Sequence, residues 1–164
     1  MDIKRHSDYK PIKIAFFDVD GVLTDGTKFY HEDGTVSKLF HDQDSTGLRM
    51  LTQNGVEVII ISADERVNRN WAEHQSLPFY CTADKAETVA ELLDKKGYDG
   101  KSAAFVGDDL RDLEAMKLVR YSMAPANASR QVRRIAKFRL RRAGGSGAGR
   151  EAAELILRIN RFIF

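Results

Sequence analysis

One cysteine, Cys81, occurs in a chain of 164 residues. No internal disulfide can form, and so few thiols fit a reducing compartment. Long apolar runs are missing too: the longest are only a few residues, such as 58–61, whereas a helix crossing a bilayer needs about 20. Positions 1–11 are polar and lack the apolar stretch of a secretory leader, so a cytoplasmic location without a membrane partner is expected. No repeat and no long linker interrupts the chain. Nor is there an excess of either charge, since 26 Lys and Arg stand against 24 Asp and Glu, a net of +2. That balance excludes a simple polycation.

The balance hides an asymmetry. Residues 128–164 carry ten basic and two acidic side chains, while residues 1–127 carry sixteen basic and twenty-two acidic ones. A basic tail on an acidic body either meets an anion or offsets the body's charge within the fold. Apolar residues make up 43%, enough for one domain, 1–164, with a single good core.

Three β-rich apolar runs stand out at 12–17, 56–61 and 103–106. Near-continuous apolar strands usually come from a sheet buried on both faces, typically parallel. Helical patterns lie between them. The stretch 45–53 carries Leu48 and Leu51; 84–96 places Ala86, Val89, Ala90 and Leu93 at helical spacing behind Asp84 as N-cap. Such alternation predicts an α/β sandwich with right-handed crossovers. At 27–40, Asp33-Gly34 separates two short β-prone runs, which predicts a hairpin flap over the end of the first strand. The tail, 143–164, reads as a loop through Gly144-Gly145-Ser146-Gly147 and then an amphipathic helix over 148–159.

In open α/β sheets, ligands bind beyond the carboxyl ends of the strands. Here the apolar runs end in Phe17-Asp18-Val19-Asp20-Gly21, in Ile61-Ser62-Ala63-Asp64 and in Val106-Gly107-Asp108-Asp109. A lone Asp after a strand is usually a turn former or cap. Several gathered at one edge repel each other unless a cation joins them. Oxygen ligands without a His or Cys cluster favour Mg²⁺.

With these motifs the chain resembles the haloacid dehalogenase-like phosphohydrolases. The stretch from Asp18 through Gly26 looks like their first motif, Ser62 the second, Lys85 the third, and Gly107-Asp108-Asp109-Leu110-Arg111-Asp112 the fourth. The hairpin, Asp44-Ser45-Thr46-Gly47 and the late Gly144-Gly145-Ser146-Gly147-Ala148-Gly149-Arg150-Glu151 narrow it to the subgroup without a large cap. That subgroup hydrolyses phosphorylated 2-keto-3-deoxy sugar acids in cell-surface sugar biosynthesis. The resemblance implies a Rossmann-like three-layer sandwich with a mainly parallel sheet. It also implies an attack by Asp18 on phosphorus, with Asp20 protonating the leaving oxygen and then activating water. Mg²⁺ would be held by Asp18, the backbone carbonyl of Asp20 and Asp108, with Asp109 or Asp112 orienting the shell. Ser62 and Lys85 would bind the phosphoryl oxygens; Gly21 and Thr24 belong to the loop that approaches the substrate.

Some assignments stay open in the sequence. Lys85 reads either as that fixed charge or as a solvated first-turn lysine, though a cation there opposes the helix dipole. Asp64 is either an acceptor for sugar hydroxyls, as in phosphatases of nine-carbon acids, or an N-cap for a helix over 65–75. Many phosphatases of eight-carbon acids carry Gly-Arg where this chain has Ala63-Asp64. Arg141, Arg142 or Arg150 could grip the substrate carboxylate bidentately. Arg130, Arg133, Arg134 and Lys137 fall at helical spacing, but without interleaved aromatics no nucleic-acid partner is expected. The resemblance implies homotetramers whose hairpin and tail contribute to neighbouring sites, with Phe29 and Tyr30 as anchors. His6, His31, His41 and His74 have no ligand spacing, and Trp71 and Cys81 read as packing residues. Two rival classes remain: a receiver-like phospho-Asp domain, and a catalytically silent oligomerisation module.

Overall fold

A computed structural model describes residues 10–161. His6, most of the polar N-terminus and the apolar Phe162, Ile163 and Phe164 lie outside the described residues. Six strands build one sheet: β1 (Ile14–Phe17), β4 (Glu57–Ser62), β5 (Phe79–Cys81), β6 (Ala103–Val106), β7 (Tyr121–Ala124) and β8 (Phe138–Arg139). Their order is β5-β4-β1-β6-β7-β8, and every neighbouring pair runs parallel.

Strand alternation explains the layers. Ala15, Phe17, Val58 and Ile60 face one apolar cluster; Ile14, Phe16, Ile59 and Ile61 face the other. Helices α1 (Asp42–Gln53) and α6 (Ala148–Ile159) cover the first face, while α3 (Lys85–Lys96), α4 (Leu113–Leu118) and α5 (Arg130–Ile135) cover the second. α2 (Arg66–His74) buries Ala72 in the first cluster. The chain runs from β1 outward through β4 to β5, then crosses back to place β6 on the other side of β1. That reversal opens a crevice between the ends of β1 and β6.

The three apolar runs fall on β1, β4 and β6, and α6 has the predicted bounds. α1 starts three residues earlier than 45–53, because the His41 ring accepts the Gln43 N–H and Asp42 and Asp44 favour the first turn. In α3, Asp84 caps by accepting the Glu87 N–H at 3.0 Å. Its buried face is Lys85, Val89, Leu92 and Leu93, whereas Ala90 is exposed. The helix is thus rotated from the expected stripe, and Lys85 enters the interior. Cys81 is exposed rather than packed, since β5 is an edge strand. Trp71 stacks on Phe40 with ring centroids 4.6 Å apart.

β2 (Phe29–Tyr30) and β3 (Val36–Ser37) pair antiparallel as the hairpin flap. The turn is longer than two residues: Gly34 N–H donates to the His31 carbonyl, and Gly34 alone takes a left-handed φ of 81°. This is a turn closed by a glycine bulge.

α1 and α6 touch at Gly47, where an added Cβ would lie 2.8 Å from the Arg150 Cα. Beside it, Asp44 Oδ1 accepts the Arg150 N–H at 2.8 Å. Asp44 therefore caps α6 from another helix, since Gly147 has no side chain to do so. Asp44→Ala is expected to lower stability by about 1–2 kcal/mol in chemical denaturation. The exposed Asp42→Ala should change it by less than about 0.5 kcal/mol; equal effects would contradict the cross-helix cap.

Candidate active site

The site forms where β1 and β6 end. The Asp18 N–H donates to the Val106 carbonyl at 3.0 Å, so the last rung of the β1–β6 ladder places the carboxylate in the crevice. Asp18 is buried, and its Oδ1 accepts the Val19 N–H at 2.7 Å. Lys85 reaches in from the first turn of α3 and sits 2.8 Å from that Oδ1. The same ammonium donates to Asp112 Oδ1 at 2.6 Å. Asp112 Oδ2 in turn accepts the N–H groups of Asp108 at 2.8 Å and Asp109 at 3.1 Å. The solvated reading of Lys85 is thus set aside: only 4% of its surface is exposed.

Gly21 has φ +90°, and a Cβ on it would fall 2.0 Å from Asp108 Oδ2. Close approach of the two loops, together with the left-handed backbone, requires glycine there.

Three buried or half-buried carboxylates around one ammonium leave excess negative charge. Burial, reinforced by Asp112, pushes the Asp18 pKa well above its ordinary value. Burial, with Asp112 and Asp109, pushes Asp108 up to about 7. For Lys85 burial opposes the charge, but Asp18 and Asp112 outweigh it and raise the pKa. Oxygens of Asp18, Asp108 and Asp112 lie within 4.8 Å of one another. Asp112 already accepts from Lys85 and two backbone N–H groups, whereas Asp108 Oδ1 is buried with no partner among the described residues. Asp18 and Asp108 therefore fit a hard divalent cation, and Asp112 fits an orienting role. Asp109 is exposed at the lip.

A second network joins the flap to the site, and the sequence showed no sign of it. Lys38, just after β3, has a fully buried side chain. Its ammonium donates to Asp20 Oδ2, Asp64 Oδ2 and Asn68 Oδ1, each at 2.9 Å, and lies 2.7 Å from Asp20 Oδ1. Asn68, from α2, donates to Asp20 Oδ2 and to Ser62 Oγ, both at 3.0 Å. Lys28, just before β2, donates to the same Asp64 oxygen at 2.6 Å. The carboxylate of Asp64 is thus engaged by the two lysines rather than capping α2, whose N-cap position is Glu65. The lysines also hold the Asp64 pKa below the usual range, Lys28 most strongly.

These residues line an open cleft of about 1020 Å³. Asp18, Asp20, Gly21, Ser62, Asp64, Lys85, Asp108, Asp109 and Asp112 all contribute to its walls. Thr24 does not; it is fully buried behind the loop, where its Oγ1 accepts the Gly26 N–H at 3.2 Å. Arg141, Arg142 and Arg150 also lie outside the cleft. Glu151 accepts the backbone N–H groups of Arg141 and Arg142, while the Arg142 guanidinium donates to Gln43 and that of Arg150 to Glu154. The cleft's outer cations are instead Lys28, Arg66 and Arg111. Asn127 ties the tail to the site, donating to the Gly21 carbonyl at 3.1 Å and accepting the Gly144 N–H at 2.7 Å.

A carboxyl that keeps its proton up to about pH 7 must lose it before it can hold a cation. Divalent-cation affinity is therefore expected to weaken roughly tenfold per unit as pH falls below about 7, and to level off above it. Titration calorimetry should also register proton release below that pH; a flat profile would contradict the Asp108 assignment.

Comparison with known proteins agrees with this geometry. Residues 79–147 match the haloacid dehalogenase-like hydrolase family. The 3-deoxy-D-manno-octulosonate 8-phosphate phosphatase of Haemophilus influenzae is 34% identical over 149 residues, spanning 89% of this chain and 83% of that protein. The N-acylneuraminate cytidylyltransferase of Oncorhynchus mykiss is 32% identical, but the chain spans only 35% of its length. The crystal structure of 3-deoxy-D-manno-octulosonate 8-phosphate phosphatase from Moraxella catarrhalis, with a magnesium ion, a phosphate ion and KDO, superposes with TM-score 0.88 at 33% identity. That match covers 93% of this chain and 90% of that one. With its α/β sandwich and the carboxylate–lysine cluster at the crevice, the chain belongs to the haloacid dehalogenase-like hydrolases and is a phosphatase.

Proposed function

We propose that the chain is a Mg²⁺-dependent phosphomonoester hydrolase acting on a phosphorylated 2-keto-3-deoxy sugar acid of eight or nine carbons, through an aspartyl-phosphate on Asp18. One observation carries the reading: Asp18 has one oxygen pinned by Lys85 and the Val19 N–H, which leaves the other oxygen to attack phosphorus. In the first step that oxygen bonds to phosphorus as the sugar oxygen leaves with a proton from Asp20. In the second, water displaces Asp18 and gives its proton to Asp20. Splitting a slow hydrolysis this way suits phosphate monoesters.

Ser62 Oγ accepts from Asn68 and from the Asp64 N–H at 3.1 Å. Its own proton is therefore directed outward, where a phosphoryl oxygen would accept it. Lys85 supplies a fixed positive charge beside the nucleophile. Asp18, the Asp20 carbonyl and Asp108 would hold Mg²⁺, which when bound neutralises phosphoryl charge and settles the repulsion between the carboxylates. Lys28, Arg66 and Arg111 stand at the rim, where a sugar-acid carboxylate would meet a cation. Among the described residues no helix is long and apolar enough to cross a membrane. Phe29 and Tyr30 are exposed on the flap, as a homotetramer contact would require; sedimentation analysis would give the assembly.

Asp18→Asn should retain its circular dichroism spectrum and lose phosphate release roughly 10³-fold or more; an active variant would refute the nucleophile. A phosphate-release panel over eight- and nine-carbon keto-deoxy acid phosphates, run with Mg²⁺ and with EDTA, tests the substrate class. Cation-dependent turnover of these acids is expected. A clear preference for neutral hexose phosphates would overturn it.

A further inference from the structure

Lys38 stands outside the phosphoryl machinery, yet it is the most completely engaged cation of the flap. An ammonium has three protons, and the three go to Asp20, Asp64 and Asn68. No freedom of rotation is left at that nitrogen. Asp20, in turn, accepts at Oδ2 from both Lys38 and Asn68 while its Oδ1 faces the same ammonium at 2.7 Å. The rotamer of Asp20 is thus set by one side chain of the hairpin and one of α2, not by its own loop.

A purely stabilising role explains this poorly. A buried ammonium loses its hydration, and well-packed apolar side chains in place of a buried ion pair are often neutral or stabilising. The hairpin already has a second tether, because Lys28 grips Asp64 from the other strand. What Lys38 adds beyond Lys28 is contact with Asp20 and with Asn68, which itself holds Asp20.

We infer that Lys38 is the positioning residue of Asp20, and that docking of the hairpin is thereby a condition for breakdown of the phosphorylated enzyme. This rests on the reading of Asp18 and Asp20 given above. In that step the water oxygen bonds to phosphorus, the bond from phosphorus to the Asp18 oxygen breaks, and the water proton passes to Asp20. With Lys38 in place, the receiving carboxylate is aimed before water arrives. Without it, Asp20 keeps only the Asn68 bond at Oδ2, and Asp64 is left facing it as a like charge. Formation of the phosphoenzyme from an ester whose leaving group needs no proton does not use Asp20, so the loss falls on the second step alone.

The test is rapid-mixing kinetics with p-nitrophenyl phosphate and Mg²⁺. Lys38→Met should release about one equivalent of nitrophenolate per site in a burst and then turn over ~10²-fold or more slower than the parent enzyme, within the range of general-base contributions. Acid quenching should trap phosphate on the protein. Lys38→Gln, which keeps a donor for Asp20 and removes the charge, guards against misfolding of the first variant. It should show the same burst with a smaller loss. A merely structural defect would lower burst and steady rate together. Turnover of both variants within about threefold of the parent, with no burst, would overturn the inference and leave Asp18 as nucleophile. Phosphate release by the parent enzyme without any phosphoenzyme trapped, even on denaturing quench of either variant, would overturn the Asp18 reading and this inference with it.

Discussion

The ammonium of Lys85 is the contact on which the rest of the site depends. It lies between Asp18 and Asp112 at 2.8 and 2.6 Å, with about 4% of its surface exposed. Neither carboxylate could be buried alone at such proximity without a large desolvation cost. Through Asp112, the same ammonium also orders the turn after β6, because the other Asp112 oxygen holds the N–H groups of Asp108 and Asp109. The positions of Asp18 and Asp108 are thus consequences of one buried cation and of the strand reversal between β1 and β6.

Negative charge is left over once Lys85 is counted, and that remainder gives the site its chemistry. Asp108 holds a pKa of about 7 and an oxygen with no partner among the described residues. A cation and a phosphoryl group, one bringing positive charge and the other negative, complete the arrangement together. The flap adds a separate control, since its two lysines converge on Asp64 while only one of them reaches Asp20. On the proposed reading, charge is neutralised at the end of the sheet and proton transfer is governed from the hairpin.

Much of this was legible from local sequence. Asp18, Asp20 and Asp108 follow apolar strands whose burial forces their carboxyl ends together, and Lys85 stands where a helix dipole disfavours a cation. Lys38 and Asn68 were not legible. They sit 18 and 48 residues from Asp20, no spacing rule links them, and a lysine after a hairpin strand looks like any solvated one. The arginines of the tail misled for a related reason. Their spacing shows charge, but not that the guanidinium groups of Arg142 and Arg150 already donate to Gln43 and Glu154. β5, β7 and β8 escaped because edge and short strands such as Tyr121–Ala124 carry mixed polarity. Asp44 and Gly47, marks of resemblance in the sequence, turn out to join α1 to α6 and thereby fasten the glycine loop that Asn127 links to Gly21.

The central claim is that Asp18 becomes phosphorylated during turnover. The most direct measurement is to quench the enzyme during hydrolysis of a sugar-acid phosphate, reduce it with borohydride and sequence the peptides by mass spectrometry. An acyl phosphate at Asp18 is reduced to the alcohol, so homoserine should appear at position 18 and nowhere else. Homoserine at another aspartate, or none while phosphate is still being released, would contradict the account.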